Sequence, residues 1–514
     1  MIRLISLDQT FGLEQKQTSI LSENSLVNVI DFGDGIFCIK IADDLNQNLL
    51  TEAIIRGLEK SFATIREQKN VKAVLLMGGD QWFLSSTTIE KEMFFARKTL
   101  LLPLDCDVPV IAVMKGHSTA LGWLLGALCD FMICSKESSY QYFSQDLNWQ
   151  PCEEELFLFE ERFGKEFASE LLFSNKNQTG IDLREKGLGM PILSKDEMDS
   201  YALAFARRLI EAPVKSVMLL KKHLSQGMAR QAKRLLSSFT PIPKNKRNHN
   251  FQEKKDLFEE QGSIQGAINL GIPKNIQMNS DVVCLQAYQN GVVLVTLCDK
   301  ENKNTFSNAF VEGVKEAFEK IEKSSEYKVV ILTGYDHYFA CGGTKEGLIA
   351  IQKGETKFTD VMIYSLALEC KIPVIAAMQG HGIGAGWSMG MFCDHVLFSK
   401  ESVYLSPYMR YGFTPGAGST LVFPEKLGMD LGREILFTAN EYKSDELSLR
   451  GMKMPVLSRA DIQDYALRMA SKIALSSREE LINLKTSRCS DLRNRVSTIY
   501  ARISNAKPFS YYLQ

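Results

Sequence analysis

Two kinds of periodicity alternate along the chain. Short, almost wholly apolar runs such as VVLVTL (292–297), KVVILTG (328–334), PVIAAM (373–378) and HVLFS (395–399) predict strands buried on both faces. Between the first two, Phe310 to Ile321 repeats apolar residues three and four apart, the spacing of a helix with one buried face. A Gly-rich turn opens a predicted helix over 382–393, and residues 433–438 and 460–474 turn helical. Strands alternating with helices predict an α/β fold with parallel pairing.

The same pattern occurs twice. VKAVLLMGGDQWF (71–83) returns as YKVVILTGYDHYF (327–339), so Phe83 and Phe339 are 256 residues apart. KGHSTALGWLLGALCDFMICSKESSY (115–140) returns as QGHGIGAGWSMGMFCDHVLFSKESVY (379–404), with His117 and His381 264 apart. That second offset holds through GMPILS (189–194) and KMPVLS (453–458), so the first copy is shorter by eight residues between Phe83 and His117. The chain is two copies of one fold, over about 24–225 and 280–514, and we divide it into domains 1–270 and 271–514. The basic stretch 241–256 between them reads as a solvated linker, and Leu257 to Ile268 as a tail helix of the first copy.

Composition narrows the function classes. Of 514 residues, 45% are hydrophobic and 24% charged, an ordinary globular balance that excludes wholesale disorder. Sixty basic against 61 acidic residues leave no overall basic field for nucleic acid or an anionic membrane. The first fifteen residues lack a signal peptide's apolar core, and the greasiest run, Ala120 to Cys129, ends at Asp130 before it could span a bilayer. The eleven cysteines form no CxxC and no Cys/His cluster, which reads as reduced thiols in the cytoplasm, with no metal site.

Two glycine turns follow buried strands in the second copy: FACGGT (339–344) and GHGIGAG (380–386). Glycine lets the main chain approach a ligand closely. Two such turns facing one pocket can hold a thioester oxygen between two N–H donors, an oxyanion hole that stabilises an enolate. They can equally be tight turns that pack a helix on a sheet. A phosphate loop of the GxxxxGK[ST] type is not present.

Through FACGGT, QGHGIGAGWSMGMFCD and YGFTPGAGST (411–420), both halves resemble the crotonase (enoyl-CoA hydratase/isomerase) superfamily. The resemblance implies a tandem ClpP/crotonase-like spiral of ββα units with helical C-terminal regions that mediate trimers. It places the two oxyanion amides at Gly343 and Ala385. The two glutamates of the hydratases fall on Ser388 and Tyr408, neither of which is a carboxylate. The second copy, through GGTKEGLIAIQKGETKFTD (342–360) and IYSLALECKIPVIAAMQGHGIGAG (363–386), is similar to the 3-methylglutaconyl decarboxylases of polyketide β-branching cassettes. That similarity implies a small acyl-thioester substrate on an acyl carrier protein's phosphopantetheine arm or on coenzyme A, with no metal or redox cofactor. It places the carboxylate-binding lysine at Lys357, with Lys345 and Lys353 as rivals, and leaves Tyr408 to orient the carboxylate or relay a proton. The subfamily's C-terminal proton-donating histidine has no counterpart in 501–514; its place falls near Asn505, which cannot donate a proton of that kind. Lys507, Tyr511 or His249 are the substitutes to check.

His381 lies beside the oxyanion turn, but His117 holds the same place in a first copy that has lost the rest, so both read as structural. In the first copy Gly342 and Gly343 become Ser86 and Thr87, Ala385 becomes Leu121, and the glutamate positions become Leu124 and Ser144. The turn PGAGST becomes PCEEEL (151–156), whose acidic residues Glu153 to Glu155 are expected to face solvent or a partner. The first copy is therefore expected to be an inactive packing or docking module and the second a decarboxylase. An enoyl-thioester isomerase, or a non-catalytic scaffold for carrier proteins, are the alternatives. The family's habit implies a homo-oligomer, a trimer of chains.

Overall fold

A computed structural model describes residues 19–22, 26–86, 98–142, 153–173, 177–237, 271–353, 355 and 362–505. The chain divides into two compact units, one comprising Met1–Asn250 and Leu427–Thr438, the other Phe251–Lys426 and Ala439–Gln514.

The second unit is built on a seven-stranded sheet in the order Lys274–Ile276, Val283–Ala287, Val292–Leu297, Val329–Thr333, Val374–Met378, His395–Ser399, Val456–Leu457. The first three pair antiparallel and the rest parallel, with Val330 opposite Val374 and Ile375 opposite His395. Val329–Thr333 and Val374–Met378 are buried along their whole length, which is why they read as unbroken apolar runs. A smaller sheet runs Tyr338–Ala340, His381–Ile383, Val403–Leu405, Glu441–Lys443. Each passage of chain thus gives one strand to the large sheet, one to the small sheet and then a helix. These are the ββα turns of a spiral, and the expected α/β spiral fold is present.

The three-residue strands of the small sheet are too short to show an alternating pattern, and the sequence shows them only as turns. One expectation is corrected as a result. The helix expected over 382–393 begins at Ala385 and ends at Met391, because His381–Ile383 is an inner strand of the small sheet. The expected strands Val292–Leu297 and His395–Ser399 and helix Asn308–Lys323 fall within a few residues of their predicted bounds, whereas the tail helix expected over Leu257 to Ile268 lies outside the described residues.

The first unit repeats this arrangement. Its large sheet runs Ser19–Ser22, Val27–Asp31, Ile36–Ile41, Ala73–Met77, Val110–Met114, Phe131–Ser135, Ile192–Leu193, and its small sheet is Gln178–Thr179, Ser139–Gln141, His117–Thr119, Trp82–Leu84. A buried ion pair recurs at the 264-residue spacing. Lys221 Nζ lies 2.8 Å from Asp130 and donates to the carbonyls of Pro103 and Val108; Lys485 Nζ lies 2.8 Å from Asp394 and donates to those of Ala367 and Ile372. In each unit the pair ties a long C-terminal helix, Val214–Ser237 or Arg478–Asn505, to the sheet, and the extra acceptors compensate a buried ammonium. No described helix is long and apolar enough to cross a membrane.

Candidate active site

The first glycine turn follows strand Tyr338–Ala340 and is held from behind. Asn304 accepts the Cys341 amide on its carbonyl at 3.0 Å, and its side chain donates to the carbonyls of Leu297 and Phe339 at 3.0 and 2.9 Å. The Phe306 amide donates to the Gly342 carbonyl at 2.6 Å. Asp299, buried at the start of that loop, accepts from Asn302 and from Ser307 Oγ. Asp299 and Asn304 were not singled out in the sequence. The signal was available: Asp43 and Asn48 stand at the same spacing in the first copy, where the Asp43 amide donates to Asn48 Oδ1 and the Asn48 side chain donates to the carbonyls of Trp82 and Phe83.

The second turn is fixed by the small sheet. The Gly384 amide donates to the Leu405 carbonyl at 2.8 Å, and Gly384 takes φ +54°, ψ −125°, a conformation that costs other residues strain. Ala385 then starts the helix. The structure brings the two turns together: a Cβ placed on Gly342, itself at φ +70°, would stand 2.9 Å from the Ala385 nitrogen. Glycine at 342 therefore keeps the approach to that amide clear. Neither the Gly343 nor the Ala385 amide donates to an acceptor among the described residues. Open main-chain donors of this kind suit an oxygen that becomes negative.

Tyr408 is buried on the short helix Pro407–Tyr411, and its hydroxyl lies 3.7 Å from where a Cβ on Gly384 would be. The Tyr408 hydroxyl is thus at the edge of the second glycine turn. Burial pushes its phenol well above the usual tyrosine range, so at neutral pH it is a neutral donor. Ser388, also fully buried, turns its hydroxyl back toward the Gly384 carbonyl at 3.4 Å. No carboxylate occupies either of those positions.

Lys357 lies outside the described residues, as do Lys507, Tyr511 and His249. Lys353 is exposed, 4.0 Å from Glu355, and Lys345 is the first residue of helix Lys345–Gln352. Asn505 ends helix Arg478–Asn505. His381 is structural: its Nδ1 accepts the Val403 amide at 2.9 Å, as His117 Nδ1 accepts that of Ser139 at 3.0 Å. Burial, with Arg459 nearby, lowers the His381 pKa, so the ring is neutral and serves as that acceptor. No cluster of three or more His, Cys, Asp or Glu side chains capable of holding a metal occurs among the described residues.

In the first copy the same place is closed. The Leu121 amide, counterpart of Ala385, donates to Ser86 Oγ at 3.0 Å, and Ser86 stands where Gly342 stands in the second copy. Ala120 keeps the backbone of Gly384, at φ +45° and ψ −117°, despite carrying a side chain. Leu124 replaces Ser388 and is fully buried; Thr87 and Ser144 lie outside the described residues. The expectation of a solvated acidic surface fails at Glu155. Glu153 to Glu155 open helix Glu153–Phe163, which buries the face carrying Glu155, Leu158 and Phe159 and leaves Glu153 exposed.

Comparisons with known proteins agree with this duplication. The Enoyl-CoA hydratase/isomerase family model matches residues 31–264 and again 287–512. The bacillaene synthase decarboxylase PksI of Bacillus subtilis (strain 168) is 48% identical over 222 residues, 43% of this chain and 89% of that protein. A chain from the structure of a dehydratase/decarboxylase enzyme couple involved in polyketide β-branching is 46% identical, covering 45% of this chain and 91% of its own, with a TM-score of 0.44. The ECH2 decarboxylase domain of CurF from Lyngbya majuscula is 40% identical, covering 45% and 94%, with a TM-score of 0.42.

Proposed function

The chain belongs to the enoyl-CoA hydratase/isomerase family, and from that premise we propose that its second copy decarboxylates a 3-methylglutaconyl-type acyl thioester, carried on an acyl carrier protein, in polyketide β-branching. The observation that carries the reading is the pair of open amides, Gly343 and Ala385, in a chain with hydroxyl residues, Ser388 and Tyr408, at the positions where a hydratase carries glutamates.

The thioester oxygen accepts from both amides. The bond between the substrate's carboxylate carbon and its neighbour breaks, CO₂ departs, and the electron pair enters a dienolate whose negative oxygen the amides hold. A proton then returns to the α or γ carbon. Lys357 is the proposed ammonium that grips the leaving carboxylate, and Tyr408 the neutral donor that orients it. A carboxylate at 388 or 408 would repel this substrate, which accounts for the replacements. The phosphopantetheine arm carries the acyl group and no further cofactor is required. The assembly proposed is a trimer of chains.

The rival is an enoyl-thioester isomerase, which uses the same amides with a base and no carboxylate partner. Offering the full chain a 3-methylglutaconyl thioester and a simple enoyl thioester separates them. CO₂ release from the first without double-bond migration in the second supports the decarboxylase; the converse overturns it. Binding of the loaded carrier protein without turnover would instead mark a scaffold.

A further inference from the structure

Cys284 lies on strand Val283–Ala287 and Cys298 directly follows the antiparallel neighbour Val292–Leu297, with Cys284 opposite Thr296 and the Cys298 amide donating to the Val282 carbonyl. This register puts both side chains on one face of the sheet, as diagonal neighbours. Their sulfurs stand 3.7 Å apart, and Cys284 is exposed. The corresponding positions of the first copy are Asn28 and Ala42, so the thiol pair exists only in the copy whose amides are open.

Cys298 is also the residue before Asp299. The Asp299 amide donates to Asn304 Oδ1 at 2.8 Å, the Asn304 amide returns to the Asp299 carbonyl at 3.0 Å, and Asn304 in turn holds Cys341, next to Gly342. A pull on Cys298 therefore reaches the oxyanion turn through two residues. A disulfide needs sulfurs about 2.0 Å apart, so closing this pair draws the sulfurs together by roughly 1.7 Å. Rotation of the side chains supplies part of that movement and the strands the rest.

We propose that Cys284 and Cys298 are a modification site, oxidised to a disulfide by small-molecule disulfides of the glutathione class, and that the bond displaces the Asp299–Asn304 loop behind the oxyanion turn. The exposed Cys284 thiolate attacks the small disulfide, forming a mixed disulfide and releasing one small thiolate. Cys298 then attacks the Cys284 sulfur, releasing the second. The two protein thiols lose two protons and two electrons, and the oxidant is reduced to two thiols. The claim about the loop rests on the position of the turn, whereas the claim about the bond does not depend on the proposed reaction.

The test is incubation of the full chain over a range of oxidised to reduced glutathione ratios, followed by alkylation and peptide mapping. Hydrogen exchange is measured on peptides spanning 299–306 and 339–344. The expected result is a Cys284–Cys298 linked peptide, lighter by two hydrogens, with altered exchange in both peptides. Dithiothreitol reverses both changes, and both are absent in Cys284→Ser and in Cys298→Ser. Failure to form the link at any ratio overturns the site. A link that leaves exchange in both peptides unchanged overturns the coupling. Neither outcome bears on CO₂ release, so the proposed reaction stands or falls separately.

Discussion

The Leu121 amide donates to Ser86 Oγ at 3.0 Å, and at the equivalent point of the second copy the Ala385 amide faces a glycine, Gly342. The Ser86 hydroxymethyl group is what occupies this amide in the first copy. Gly342→Ser in the second copy should therefore lower decarboxylation on the order of a hundredfold or more, the usual result of losing one oxyanion donor. Part of the loss will come from strain, because Gly342 sits at φ +70°. Circular dichroism and the melting temperature check that the fold survives. Ser86→Gly should leave the rate unchanged.

Charge at position 388 gives a second prediction. Ser388→Glu and Ser388→Gln put side chains of one size into the same buried place, and only the first adds a negative charge. The Glu variant should lose carbon dioxide release at least tenfold beyond the Gln variant, since one pKa-scale unit of repulsion is worth about 1.4 kcal/mol. Steady-state rates on a 3-methylglutaconyl thioester make the comparison. Equal rates would remove carboxylate repulsion from the account.

Much of the fold was legible in the sequence, for a physical reason. Strands such as Val329–Thr333 are buried on both sides, so burial writes an unbroken apolar run, and the duplication sets each run beside its twin. The small sheet was not legible. Its strands are three residues long, and His381–Ile383 contains the glycine that reads as a turn. At the site, the turn at Gly342 meets the Ala385 amide, and the Tyr408 hydroxyl lies beside Gly384. Ser86 was recognised as a lost glycine, but not that its hydroxyl would occupy the facing amide, since the 256- and 264-residue offsets hide which residues meet in space. Asn304 was missed because a buried asparagine whose side chain bonds four main-chain groups looks, in sequence, like any loop asparagine.

The buried ammonium groups predict stability. Lys485→Met leaves Asp394 without its 2.8 Å partner and two carbonyls without a donor, and should cost about 3–5 kcal/mol. Lys221→Met should do the same to the first unit, where Asp130 is more deeply buried than Asp394. Urea melts monitored by fluorescence report each. A change below about 1 kcal/mol in both would mean that water or a new partner replaces the lysine.

His395 predicts the acid limit. Burial depresses its pKa from 6.5 to about 4 in the folded chain, so the folded form binds fewer protons than the unfolded form between those values. The stabilisation is complete above pH 6.5 and is lost as pH falls toward 4, amounting to at most about 3 kcal/mol. His395→Gln should flatten this part of the stability–pH curve. An unchanged slope would assign the acid loss to carboxylates instead.

The most direct test uses intact-protein mass spectrometry of an acyl carrier protein loaded with the 3-methylglutaconyl group, before and after addition of the full chain. The account predicts that the carrier loses the mass of CO₂, that Lys357→Ala abolishes the loss, and that Gly342→Ser sharply slows it. An unchanged acyl mass with the unmodified chain, or an unchanged rate in both variants, would contradict it.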